Sequence, residues 1–150
     1  MANAVTLTLE SVDGDGLRFH ADTGGGFSAT IDSGPGRVAP SPVQMLLVSL
    51  AGCVAMDVIS IVRKQRQRVT GYEVTIEGER RTEHPRSFTR IDVLHRVTGH
   101  TLDRDGIAHA IELSRTKYCT VSATLDPSIP VNHRIEIIAA RDEVLPHEQE

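Results

Sequence analysis

The chain has 150 residues, of which 39% are hydrophobic and 24% charged, and its formal net charge is −4. This length and composition fit one globular domain with a real core and exclude a disordered chain. The acidic balance, with three Phe, two Tyr and no Trp, argues against general binding to nucleic acids or membranes, because such binding needs clustered positive charge or stacking side chains.

The chain opens with strand-like alternation. Val5, Leu7 and Leu9 alternate with polar residues, and glycine-rich turns separate further strand-like segments up to Asp32. The segment from about 4 to 32 is therefore predicted to form a β-meander. Two Gly and three Pro between Ser33 and Pro42 indicate a connecting loop.

A long helix is predicted over about 42–67. Ser41 is a favourable N-cap before Pro42, and basic residues near the end suit the negative pole of the helix. Its apolar residues point in every direction, which requires burial on every side. One sheet of a chain this size covers one side only, so we predict an obligate homodimer with a large shared core. Polar residues interrupt the apolar run, and we predict no membrane span.

Alternation indicates a hairpin over about 72–97, with Ile91 and Val93 facing inward and His95 or Val97 as the further inward candidate. Helical spacing indicates a second helix over about 103–118, whose shared face carries Ile107, Ala110, Ile111 and Ser114. Two strands are predicted over about 120–140, the first of them over 120–125, with Asp126-Pro127 between them. The predicted order is β-β-β-α-β-β-α-β-β, an α+β fold in a single domain over 1–150.

Phosphate-binding, dinucleotide-binding and serine-hydrolase motifs are absent, and the seven histidines show no ligand spacing. We therefore predict exposed or edge-strand histidines, with no metal site and no cofactor. A basic cluster occupies the predicted end of the long helix, at Arg63, Lys64, Arg66 and Arg68. It is interpreted as a solvated helix terminus rather than as a nucleic-acid interface.

The two cysteines, Cys53 and Cys119, remain as candidates for chemistry. Two cysteines without a secretory leader favour a reducing, cytoplasmic environment. Gly52 beside Cys53 is costly inside a helix and predicts a close approach by another backbone or a small ligand. Asp57 lies one turn after Cys53 and would raise the pKa of its thiol, so a reactive Cys53 needs a nearby cation. The residues alone leave open an inert core cysteine or a redox site.

Residues 41–53 (SPVQMLLVSLAGC) and 113–125 (LSRTKYCTVSATL) resemble the two signature regions of the OsmC/Ohr family. The match in element order extends over nearly the whole chain and is nearer to the OsmC-like branch than to the organic hydroperoxide reductases proper. The resemblance implies an intertwined homodimer that packs two long helices between sheets, and a thiol peroxidase active in oxidative-stress defence.

The resemblance also implies roles for the two cysteines. Cys53 would be the peroxidatic nucleophile and Cys119 would resolve its sulfenic acid as a disulfide, which an external thiol or dithiol would reduce. An apolar wall around Leu50 and Val54 would favour organic hydroperoxides over hydrogen peroxide.

One departure from the family pattern stands at Val43. Active members carry a Glu at this position, ten residues before the first Cys, and that Glu holds an Arg near the thiolate. Arg18 and Arg37 are both candidates for the arginine here. The missing carboxylate motivates an alternative function, a non-catalytic dimer that binds an apolar small molecule.

Overall fold

The computed structural model of the chain describes residues 2–11 and 14–142. It divides into two compact units, Met1–Val48 and Ser49–Glu150. The long helix α1 (Pro42–Lys64) begins in the first unit and continues in the second.

The first unit contains an antiparallel sheet in the order β1-β2-β3. Its strands are β1 (Thr6–Leu9), β2 (Arg18–Gly24) and β3 (Phe27–Asp32), and they lie within the predicted meander. At the end of β3, the buried Asp32 carboxylate accepts hydrogen bonds from the backbone N–H of Gly34 and Val38 and forms an ion pair with Arg18. These contacts hold the loop that leads into α1.

Both ends of α1 follow from local chemistry. At the start, the Ser41 hydroxyl accepts from the Gln44 backbone N–H and the Gln44 side-chain oxygen accepts from the Ser41 N–H, a capping box. At the other end, Arg66 adopts a left-handed φ of 60°, and Gln67 N–H reaches back to the Val62 carbonyl. This Schellman-type turn ends the helix at Lys64, three residues before the predicted end.

The second unit contains a mixed sheet in the order β4-β5-β6. β4 (Arg68–Arg80) and β5 (Phe88–His100) are antiparallel, whereas β6 (Val131–Ala139) runs parallel to β5. The hairpin is longer at both ends than its predicted range of 72–97. Between β5 and β6 the chain forms helix α2 (Arg104–Leu113), a π-helical turn (Ser114–Tyr118) and the short helix α3 (Thr120–Thr124).

The strand predicted over 120–125 is wrong, because this segment forms α3. Its β-branched residues favoured a strand, but Cys119 caps the segment as a helix: its sulfur accepts from the Ser122 backbone N–H at 3.3 Å. Only β6 remains of the two strands predicted after the second helix. The α+β fold class itself is confirmed, with two three-stranded sheets and one long helix.

The core of the second unit is formed mainly by residues of β5, α2 and α1. Every second residue of β5 from Ile91 onwards is buried, and so is one stripe of α2. From α1 the core receives residues spaced four apart: Leu50, Val54, Val58 and Val62.

The rest of α1 is less enclosed. Met56 is 73% exposed, so the chain by itself does not bury this helix on every side. The helix is long and apolar enough to cross a bilayer, but core helices of soluble proteins share that property. One such helix is therefore weak evidence for a membrane protein.

Candidate active site

The two cysteines lie on different elements of the second unit. Cys53 is half-buried on α1, one turn before Asp57, whereas Cys119 is 3% exposed and lies between the π-helical turn and α3. Although 66 positions separate them in the sequence, the fold brings them together. Their sulfur atoms and one carboxylate oxygen of Asp57 all lie within 4.8 Å of one another.

The π-helical turn positions Cys119. The Cys119 N–H donates to the Ser114 carbonyl at 2.8 Å, a wider turn than that of an α-helix. The backbone then becomes extended at Cys119, with φ −75° and ψ 100°, before α3 begins. Cys119 is therefore the N-cap of α3. Its sulfur faces the Ser122 backbone N–H and the thiol of Cys53.

Asp57 is held by a serine from the same turn. The buried Ser114 hydroxyl donates to Oδ2 of Asp57 at 2.8 Å. This bond joins α1 to the π-helical turn and fixes the carboxylate beside the sulfur atoms. The sequence pattern placed Ser114 on a helix face and Asp57 one turn after Cys53, but it did not identify either as a site residue.

The surroundings of Cys119 favour its protonated thiol over its thiolate. Burial, the hydrogen bond with Cys53 and the negative charges of Cys53 and Asp57 raise the pKa of Cys119 to about 11, against the opposing effect of the Ser122 N–H. Cys119 is therefore a protonated thiol near neutral pH.

A cavity of about 340 Å³ opens beside Asp57. Its wall combines apolar side chains with a lysine and two other polar groups: Asp57, Ser60, Ile61, Lys64, Leu113 and Tyr118. The apolar wall expected at Leu50 and Val54 is wrong, because both residues are 1% exposed and belong to the core. Ile61 and Leu113 supply the apolar surface near the site instead.

The two candidate arginines, Arg18 and Arg37, and Val43, where the family pattern has a Glu, lie in the first unit. Val43 is a half-buried residue in the first turn of α1. Arg37 donates to the side-chain oxygen of the neighbouring Gln44 at 3.2 Å, and Arg18 forms ion pairs with Glu10 and Asp32. Each candidate arginine thus has partners within its own unit.

The close approach expected at Gly52 is absent from the part of the chain that the structure describes. A Cβ atom at this position would meet no atom within 4 Å.

The general prediction of exposed or edge-strand histidines is wrong for His95, whereas its place as a candidate inward residue of the hairpin is confirmed. This residue is 0% exposed on the central strand β5. Its Nδ1 lies 2.6 Å from the Tyr72 hydroxyl and its Nε2 lies 3.0 Å from Nδ1 of His133. Burial and the charge of His133 lower the pKa of His95 to about 4. The signal in the sequence was the apolar alternation of β5, in which His95 occupies an inward position.

Comparisons with known proteins agree with this architecture. The sequence model of the family described as "OsmC-like protein" matches residues 34–134. Protein YhfA of Escherichia coli K12 is 40% identical over 126 residues, which cover 84% of this chain and 94% of YhfA. A hypothetical protein from Aquifex aeolicus VF5 has a similar solved structure, with a TM-score of 0.81 at 26% identity over 94% of this chain and 99% of that one.

A further solved structure shares the fold alone. The organic hydroperoxide resistance protein OhrB of Bacillus subtilis matches with a TM-score of 0.60 at 17% identity, over 91% of this chain and 98% of OhrB. The OsmC/Ohr family is associated with resistance to peroxide and stress, and its members are known as dimers. The extent of the family match and the identity to YhfA show that this chain belongs to the OsmC-like protein family.

Proposed function

We propose that the protein reduces organic hydroperoxides with Cys53 as the peroxidatic thiol and Cys119 as the resolving thiol. The observation that carries the proposal is the distance between the two sulfur atoms, at most 4.8 Å. A disulfide bond is about 2 Å long, so the two sulfur atoms have to approach each other by at most about 3 Å to form it.

Exposure favours this order of the two thiols. Cys53 is half-buried and accessible to a substrate, whereas Cys119 is buried and has a raised pKa. The thiolate is the nucleophile in attack on a peroxide, which makes Cys119 unsuited to the first step. The apolar parts of the adjacent cavity suit an alkyl chain.

In the proposed reaction, the Cys53 thiolate attacks the terminal peroxide oxygen. An S–O bond forms, the O–O bond breaks, and the alkoxide takes up a proton and leaves as an alcohol. Cys53 is then a sulfenic acid. Cys119 loses its proton and attacks Cys53 Sγ, the hydroxyl group leaves as water, and a disulfide forms. An external thiol or dithiol supplies the two electrons that restore both thiols.

Asp57 has a proposed part in the second step. Its carboxylate lies within 4.8 Å of both sulfur atoms and is oriented by Ser114. Because Cys119 is protonated near neutral pH, its attack on the sulfenic acid requires a base. Asp57 is the group of this site that can accept the proton, directly or through one water molecule.

We also propose that the protein works as a cytoplasmic homodimer. The exposed Met56 and the open space at Gly52 leave part of α1 uncovered by its own chain. Apolar surface of this kind on a core helix favours burial against a second copy.

The test treats reduced protein with a slight excess of cumene hydroperoxide, counts free thiols and maps disulfides by mass spectrometry. We expect the loss of both thiols and a bond between Cys53 and Cys119. Cys53→Ser should lose peroxide consumption, while Cys119→Ser should accumulate the sulfenic acid at Cys53. Hydrogen peroxide serves as the comparison substrate and should react more slowly.

Two unchanged thiols would overturn the proposal and favour the alternative, a dimer that binds an apolar small molecule in the cavity beside Asp57. That alternative predicts a co-purifying ligand in native mass spectra.

A further inference from the structure

The reduced thiols and Asp57 have the donor atoms and the spacing of a metal site. One donor atom from each of Cys53, Asp57 and Cys119 lies within 4.8 Å of the other two. We propose that this group, when both cysteines are reduced, binds a thiophilic divalent cation of the Zn²⁺ type. The ion is a ligand that competes with the thiol chemistry, not a cofactor for it.

The spacing needs little adjustment to hold such an ion. Zn–S bonds of about 2.3 Å and Zn–O bonds of about 2.1 Å in a tetrahedron place ligand atoms roughly 3.6–3.8 Å apart. Each distance in the group therefore has to shorten by at most about 1 Å from its upper limit. Side-chain rotation at Cys53 and Asp57, which are half-buried, can supply this change.

The ion pairs leave Asp57 available to a cation, although Lys64 lines the same cavity. Among residues 2–11 and 14–142, neither a lysine nor an arginine forms an ion pair with Asp57. Ser114 donates one hydrogen bond to the carboxylate and leaves its other lone pairs available. In this half-buried position, the negative charge of Asp57 adds to that of any thiolate. A divalent ion would offset two of the three negative charges of the fully deprotonated group and displace the thiol protons to solvent.

The donor set selects the kind of ion. Two sulfur atoms and one carboxylate oxygen suit borderline-soft Zn²⁺ or Co²⁺, whereas Mg²⁺ and Ca²⁺ prefer oxygen donors alone. The hydrogen bond from Ser114 orients the carboxylate, as outer-shell partners do for metal ligands. A water molecule can complete the tetrahedron from the cavity that Asp57 lines.

The consequence for activity rests on the proposed function. A sulfur atom that binds the ion through its thiolate cannot at the same time form the disulfide. The bound ion should therefore slow oxidation by a hydroperoxide, and the oxidised protein, left with Asp57 as the one remaining donor of the three, should release it. Metal occupancy and the disulfide become mutually exclusive states of one site.

The experiment titrates reduced, metal-free protein with Co²⁺ and follows the thiolate-to-cobalt charge-transfer absorption, after which Zn²⁺ is added in competition. No peroxide is present, so the result does not depend on the proposed reaction. We expect one ion per chain, displacement of Co²⁺ by Zn²⁺, and a higher unfolding temperature with Zn²⁺ bound. The wild-type disulfide form should not bind.

Variants assign the ligands. Cys53→Ser and Cys119→Ser should lose the charge-transfer band of a two-thiolate site, and Asp57→Asn should bind at least about tenfold more weakly. The matched control is Asp105→Asn, at an exposed position on α2, which should bind like the parent. Circular dichroism checks that each variant is folded, and the disulfide form provides the test should a cysteine variant fail to fold.

Three results would overturn the inference: no thiolate band, unchanged affinity in Asp57→Asn, or equal binding by the disulfide form. If Co²⁺ binds but hydroperoxide leaves the thiols intact, the metal site stands and the peroxidase proposal fails. If hydroperoxide produces the disulfide but no ion binds, the reverse holds.

Discussion

Asp57 is the residue whose interpretation changes most between sequence and structure. From the sequence, it is a carboxylate one turn after Cys53, which is expected to disfavour the thiolate form of that cysteine. In the structure it faces both sulfur atoms, and Ser114 fixes its orientation. Its charge is one of the smaller causes that raise the pKa of Cys119, after burial and the hydrogen bond with Cys53.

Replacing Asp57 by Asn tests the proposed base. Burial is the largest cause of the raised pKa of Cys119, so Cys119 stays protonated in the variant but has no carboxylate to accept its proton. We expect disulfide formation to slow at least about tenfold, while the first oxidation of Cys53 continues. Dimedone trapping followed by mass spectrometry should detect the accumulated sulfenic acid. Asp105→Asn is the control, and disulfide formation at the parent rate in Asp57→Asn would contradict the assignment.

His95 is a second residue with a strong environmental effect. It lies in the core between Tyr72 and His133, with hydrogen bonds on both ring nitrogens. Burial lowers the pKa of His133 as well. Both rings are therefore neutral at neutral pH, and protonation would place charge inside the sheet.

The expected effect is a loss of stability in mild acid. Above its ordinary pKa of 6.5, His95 is neutral in both states; between pH 6.5 and about 4, the unfolded chain binds a proton that the folded chain does not. The free energy of unfolding should thus fall as the pH falls through this window, by about 3 kcal/mol from this group. Urea unfolding measured across the window checks this.

His95→Gln should flatten that pH dependence, because the variant has no titrating ring at the buried position. The exposed His109 on α2 provides the control, and His109→Gln should keep the parent slope. A parent protein with constant stability between pH 6.5 and 4 would show that His95 is not held neutral by the fold.

At the scale of elements, α1 shows which helix ends can be read from sequence. Ser41 and Gln44 have the spacing of a capping box, and the structure contains both reciprocal hydrogen bonds. The C-terminal end was harder to locate, because Arg66 takes a left-handed conformation usually occupied by Gly or Asn. Gly71, the first glycine after α1, lies within β4 and takes no part in ending the helix.

Ser41→Ala should destabilise the protein by about 1 kcal/mol, since it leaves the Gln44 backbone N–H without its side-chain acceptor. Equilibrium unfolding by urea measures the difference. Ser33→Ala, in the exposed loop before α1, is the matched control and should change stability by less than about 0.5 kcal/mol. Equal effects of the two substitutions would argue against the cap.

The π-helical turn is the element that sequence periodicity could not resolve. The predicted helix over 103–118 continued with a regular period, whereas the structure widens the turn at Ser114 and ends it at Cys119. The extra residue per turn changes which side chains face α1. With this wider turn, Ser114 is buried and bonded to Asp57, and Cys119 is buried beside Cys53.

At the scale of the whole molecule, α1 carries more apolar surface than its own chain buries. The buried stripe from Leu50 to Val62 accounts for one face, and Met56 remains 73% exposed. A second copy of the chain is the proposed cover. This agrees with the dimeric state known for the family, and it would bring another surface against the open space at Gly52.

Met56→Glu should break the proposed dimer, because dimerisation would bury an unpaired carboxylate at the interface. Light scattering after gel filtration should give twice the chain mass of 16.4 kDa for the parent and the single mass for the variant. Ala108→Glu, at an exposed position on α2, should remain dimeric. A parent protein that elutes at 16.4 kDa would contradict the prediction.

The sequence by itself determined the α+β class, the long apolar helix with its N-terminal cap, the hairpin and the two candidate cysteines. These features depend on periodicity and on residues close in the chain, where local chemistry is decisive. The α3 segment shows the limit: a β-branched run forms a helix because the sulfur of Cys119 caps it.

Only the tertiary structure decided what surrounds the cysteines. The approach of Cys53 to Cys119, the bond between Ser114 and Asp57, and the hydrogen bond between His95 and His133 all join residues at least 38 positions apart. Such contacts arise from the packing of separate elements and leave no periodic pattern in the sequence. The pKa of Cys119 depends on that packing too, because burial and neighbouring charge raise it.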